Sequence, residues 1–137
     1  MKNTKETINA IENIYKGAIE KVKESQFGDQ SHYANGYYFG SVQCYQSVKN
    51  ITDKTEMLFR CLKRYRNAYK GYMTQENRRV YIGGQLIGIA CCIDAITGED
   101  GGMWSVLDNM KKIDRVYDPN KFINVVKKTN KVLGIED

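Results

Sequence analysis

Twice in this chain, 48 residues apart, one spacing recurs: Tyr33, Gly36, Gly40 and Cys44, then Tyr81, Gly84, Gly88 and Cys92. This repeat limits the fold more than any other feature. Asn35-Gly36 alone would be a strong hairpin turn, because both residues tolerate positive φ. A hairpin needs flanking strands that alternate apolar and polar residues, and 37–48 alternates poorly. Tyr38, Val42, Tyr45, Val48 and Ile51 instead step by four and three, which is one face of a helix. On the helical reading Gly36, Gly40, Cys44 and Ser47 form a stripe of small residues. Each interior glycine costs about 1 kcal/mol against alanine, so something must offset it. Close approach of the two stripes would do so, through dispersion contacts along both backbones. A homodimer seam or a ligand groove is the alternative use of the same stripes.

The match extends beyond the glycines. Leu58-Phe59 falls on Val106-Leu107, Lys63-Arg64 on Lys111-Lys112, and Tyr69 on Tyr117. The spacing predicts two helical hairpins, about 32–69 and 80–117, related by a pseudo-twofold. Ahead of them Ile8, Ile11, Tyr15, Ala18, Ile19 and Val22 mark a first helix over about 4–25, with Asn3 and Glu6 as its capping box. Asp53 or Thr55 caps the third helix, Gly71 suits its end, and Thr74 caps the fourth. A fifth helix follows from 103 to 117. Asp118-Pro119 starts a last one, carrying Phe122, Val125, Val126 and Val132 on its apolar side. Pro119 is the only proline, which favours long uninterrupted elements. The expectation is a single all-α domain of about six helices.

Chemistry is sparse. His32 is the only histidine, and no serine or acid motif surrounds it. Glycines in 83–88 lie within a helical pattern, not after a strand, so they make no phosphate loop. Cys44, Cys61, Cys91 and Cys92 lack the paired short spacing of a zinc site and read as buried reduced thiols. The expectation is a protein with no enzymatic activity, no cofactor and no metal. The apolar stretch 80–96 contains Gln85 and Asp94 and follows Arg78-Arg79, so it reads as a buried helix, not a membrane span. Residues 1–17 carry no apolar leader core, which points to the cytoplasm. Heavy use of Lys, Asn, Ile and Tyr suggests an AT-rich genome such as that of a low-GC bacterium, its phage or a plasmid.

Two surfaces stand out. Tyrosine is abundant, at ten residues. Some belong at the core edge. An excess beyond the core would suit a protein interface, where tyrosine is enriched among anchoring residues, with Tyr37, Tyr38, Tyr45 and Tyr72 as candidates. The third helix carries Arg60, Lys63, Arg64, Asn67 and Lys70 opposite Leu58, Leu62, Tyr65 and Tyr69. Arg78 and Arg79 follow, and Lys111, Lys112 and Arg115 are the repeat's counterparts. With a net charge of +5, these residues are candidates for phosphate contact. The first functional expectation is a small binding protein, an inhibitor or adaptor, acting through an unidentified protein partner. The alternative is nucleic-acid binding by paired basic helices. A weaker one is a small-molecule pocket lined by tyrosines.

Overall fold

The computed structural model describes residues 3–25 and 28–97, and they are all-helical. Four helices follow in order: α1 (Thr4–Glu24), α2 (Gly28–Val48), α3 (Lys54–Thr74) and α4 (Arg79–Thr97), with one 3-10 turn, Glu76–Arg78, before the last. The expected fifth and sixth helices, and most of the second expected hairpin, lie outside the described residues.

Caps set the helix starts. Asn3 Oδ1 accepts from the Glu6 backbone N–H at 2.9 Å, and its Nδ2 donates to Glu6 Oε1 at 3.0 Å. Asp53 does the same work for α3, accepting from the Glu56 N–H at 3.2 Å. Both caps satisfy an N–H that the helix cannot. Several boundaries differ from the sequence reading: α2 begins at Gly28, ahead of the expected residue 32, and ends at Val48, before Ile51. Helix α3 continues one turn past Gly71, whose carbonyl accepts from the Gln75 N–H at 2.9 Å. Thr74 does not cap α4: its hydroxyl donates back to the Lys70 carbonyl at 2.8 Å, and the 3-10 turn intervenes.

The opening motif is helical in both copies, and α2 packs mainly on α4. A Cβ built on Gly36 would fall inside the carbonyl of Tyr81 and lie 2.9 Å from the Gln85 nitrogen. One built on Gly84 would fall inside the carbonyl of Tyr33 and lie 2.9 Å from the Tyr37 nitrogen. Gly40 meets the Gln85 carbonyl, and Gly88 meets that of Tyr37. Each contact becomes its counterpart when residue numbers shift by 48. Numbers rise together along both helices, so α2 and α4 run parallel about a pseudo-dyad. Missing side chains let the backbones touch, an arrangement in which Cα–H groups face carbonyl oxygens.

The same exchange relates the side chains. Tyr37 Oη donates to Cys91 Sγ at 3.5 Å, and Gln85 Nε2 donates to Gln43 Oε1 at 2.7 Å. Those two bonds occupy equivalent places. Cys44 and Cys92 are each other's counterparts, and their thiols lie side by side at the dyad.

Outer helices follow suit. Helix α1 packs on α2 much as α3 packs on α4, and each touches the opposite inner helix less. Their buried positions correspond at an offset of 50: Thr7 with Met57, Ile11 with Cys61, Ala18 with Ala68. The pseudo-symmetric units visible here are therefore α1–α2 and α3–α4. The core stripe of α3 is Met57, Cys61, Tyr65, Ala68, Tyr69 and Tyr72, with Leu58 and Leu62 at its margin. That turns the helix slightly from the expected Leu58–Leu62–Tyr65–Tyr69 face.

The segment Glu76–Thr97 is long and apolar enough to cross a membrane by length and composition, with a mean hydropathy of 1.6. Most of its apolar side chains are already used in the fold: Leu86, Ile89, Ala90, Cys92 and Ile93 are fully buried.

Candidate functional site

Charge is concentrated on α3. It carries Lys54, Arg60, Lys63, Arg64, Arg66 and Lys70 against the single acid Glu56. This excess equals the net charge of the whole chain, +5. The core stripe described above faces inward, so Lys63, Arg66, Asn67 and Lys70 project outward and are exposed. Phe59 stands 60% exposed on that face, since 59, 63, 66 and 70 share one side of a helix. Arg66 and Phe59 were not among the sequence candidates, although the same three-and-four spacing from Lys63 contains both.

The remaining arginines are partly engaged. Arg60 Nε pairs with Glu56 Oε1 at 2.9 Å, and both side chains are about half exposed, so the pair adds little stability. Arg64 Nε donates to Ser47 Oγ at 3.2 Å. Arg78 Nη1 donates to Gln75 Oε1 at 3.2 Å and its guanidinium lies 5.4 Å from the centre of the Tyr81 ring. Arg79 Nε donates to the Tyr72 carbonyl at 3.1 Å and covers the Tyr72 ring, which makes it a structural tie between α3 and α4. Lys111, Lys112 and Arg115 lie outside the described residues.

A groove of about 270 Å³ opens beside the basic face, between α2, α3 and the start of α4. Phe39 and Tyr81 line it, their ring centres 6.2 Å apart. Arg64, Asn67, Gln75 and Arg78 line it as well, and so does the bonded pair Gln43–Gln85. The structure thus brings three charge-pattern candidates, Arg64, Asn67 and Arg78, together with an exposed aromatic ring. Periodicity along single helices could not reveal that meeting, because the aromatic residues come from different helices.

The tyrosine candidates are dispersed. Tyr72 is a core residue, 5% exposed, because the α3 stripe turns it inward. Tyr45 packs on Tyr15 with ring centres 5.0 Å apart. Tyr37 spends its hydroxyl on Cys91 and sits beneath the Lys21 ammonium at 4.7 Å. Burial and the neighbouring Cys91 push its pKa far up. Tyr38 is partly exposed on α2.

The cysteines are free thiols, with Cys44, Cys61 and Cys92 buried together and Cys91 half-buried. Among the described residues no cluster of histidine, cysteine and acid is placed to hold a metal. The bond to Cys61 pulls the Cys44 thiol down, but the bond to Cys92 and burial outweigh it and leave the thiol well above its ordinary value. Cys61 is pushed up by its bond to Cys44 and then by burial. Burial raises Cys92 against the opposing bond to Cys44. Such thiols are inert, since the thiolate is the reactive form. A pH dependence follows. The folded thiols stay protonated where the unfolded chain ionises, from about its ordinary value of 9.0. Their stabilisation is therefore full below pH 8 and is lost as pH rises beyond 9. Urea midpoints are expected to stay flat from pH 6 to 8 and fall by pH 10, with a shallower fall in Cys61→Ala. A midpoint that holds through pH 10 would contradict this.

No known family matches the sequence, no curated protein matches it, and no solved structure matches the fold.

Proposed function

We propose that this protein is a non-enzymatic nucleic-acid-binding module that holds phosphates on the exposed face of α3 and on Arg78. One observation carries the reading: a positive excess as large as that of the whole chain sits on a single helix, on the side away from the core. Lysine and arginine supply phosphate affinity of this kind without reading sequence. The proposal keeps the chain as one cytoplasmic helical domain. A second reading is an interface with an acidic protein, favoured by the exposed Phe59 and Met73 on or beside the same face.

The test is binding of the purified protein to labelled DNA, titrated from low to physiological salt. With Lys63, Arg64, Arg66, Lys70 and Arg78 each meeting a phosphate, log affinity should fall linearly with log salt with a slope of about −4 to −5. Absence of binding at low salt would overturn the proposal and send the search to protein partners.

A further inference from the structure

We infer that the groove between Phe39 and Arg78 is a site for one unpaired base of a single-stranded nucleic acid, an inference that deepens the nucleic-acid reading and rests on it. The groove's size is the first argument. At about 270 Å³ it falls just below the roughly 300 Å³ at which pockets for larger ligands begin, so it suits one planar ring system.

Its chemistry is the second. Phe39 is 42% exposed although it is a large apolar residue on a packed helix. Tyr81 lies beside it, and Arg78 covers a face of the Tyr81 ring. An aromatic ring next to cations is the combination that holds single strands, because every base has a face to stack and a phosphate on either side. Arg64 and Arg78 both line the groove and are both cationic, so they can take those phosphates. In a duplex the base faces are already stacked and cannot reach such a ring.

The amides are the third argument. Gln43 and Gln85 bond to each other through one carbonyl and one NH2 group. Whichever way each amide is turned, the pair keeps one further acceptor and one further donor. A base edge carries donors and acceptors side by side and can meet both. Asn67 offers another amide along the same wall.

Fluorescence anisotropy of the full-length protein with a labelled oligothymidylate, and with a duplex of equal length at equal salt, tests the site. The single strand is expected to bind at least tenfold more tightly. Phe39→Ala should weaken single-strand binding about tenfold, the loss expected on removing one base–aromatic stack, and leave duplex binding unchanged. Phe39→Tyr should retain it. Thymidine monophosphate should compete only weakly, since it lacks the neighbouring phosphates. Phe39 is exposed enough that its truncation leaves the fold intact, which a thermal melt verifies. Equal affinity for strand and duplex, or indifference to Phe39→Ala, overturns the base site and leaves the phosphate-binding reading standing. Strong competition by the mononucleotide overturns the strand as occupant. No binding of either nucleic acid at low salt overturns both.

Discussion

Gly36→Ala is expected to destabilise the protein by about 3 kcal/mol, whereas Gly17→Ala should stabilise it by roughly 0.5–1 kcal/mol. Both glycines are helical, so propensity favours alanine at both. The difference is what a Cβ meets. At Gly17 nothing lies within 4 Å. At Gly36 the methyl falls inside the Tyr81 carbonyl. That oxygen belongs to the α4 backbone, so it cannot rotate aside as a side chain would. The helices must part, and the dispersion contacts along their whole seam weaken together. Gly84→Ala should cost as much, because it meets Tyr33 in the same way. Gly40→Ala and Gly88→Ala should cost somewhat less, since their methyls overlap the facing carbonyls less deeply. The double variant Gly36→Ala with Gly84→Ala should cost less than twice either single: once the helices have separated for one methyl, the second finds room. Urea denaturation followed by circular dichroism measures all of these. A Gly36→Ala protein as stable as the parent would mean that α2 and α4 do not touch as described.

This seam was legible in the sequence because its requirement is severe. Only glycine allows two backbones so close, so Gly36, Gly40, Gly84 and Gly88 print the contact directly into the chain, twice and in register. The relation between α1 and α3 was hidden for the opposite reason. Their equivalent core positions hold Thr7 and Met57, then Ile11 and Cys61. Packing asks only for a fitting volume there, and unlike residues supply it. The face of α3 was read slightly askew because Cys61 and Ala68 are small and uninformative, while Leu58 and Leu62 look like core and lie at its margin. Charged residues of the candidate site were readable as a pattern on one helix. The groove was not, since Phe39 and Tyr81 are 42 positions apart and meet only once α2 lies along α4.

Reversing charge on α3, by Lys63→Glu with Arg66→Glu and Lys70→Glu, is expected to lower DNA affinity at least a hundredfold at physiological salt. The magnitude follows from counterion release. Each phosphate contact contributes a slope of about −0.9 in log affinity against log salt, which near 0.15 M is about fivefold in affinity. Losing three such contacts gives about a hundredfold, and the repulsion from three new carboxylates adds to it. The slope itself should drop by about 3. Stability should change little, because all three side chains are exposed and α3 is held by its opposite face. The substitutions also separate phosphate contact from packing. A single-site Arg79→Gln change is a useful contrast: Arg79 ties α3 to α4 through the Tyr72 carbonyl and ring, so its loss should lower the melting temperature and leave the salt slope nearly unaltered. If the triple reversal binds DNA as tightly as the parent, the basic face is only solvated. The exposed Phe59 and Met73 then become the residues to truncate next, in a search for an interface with another protein.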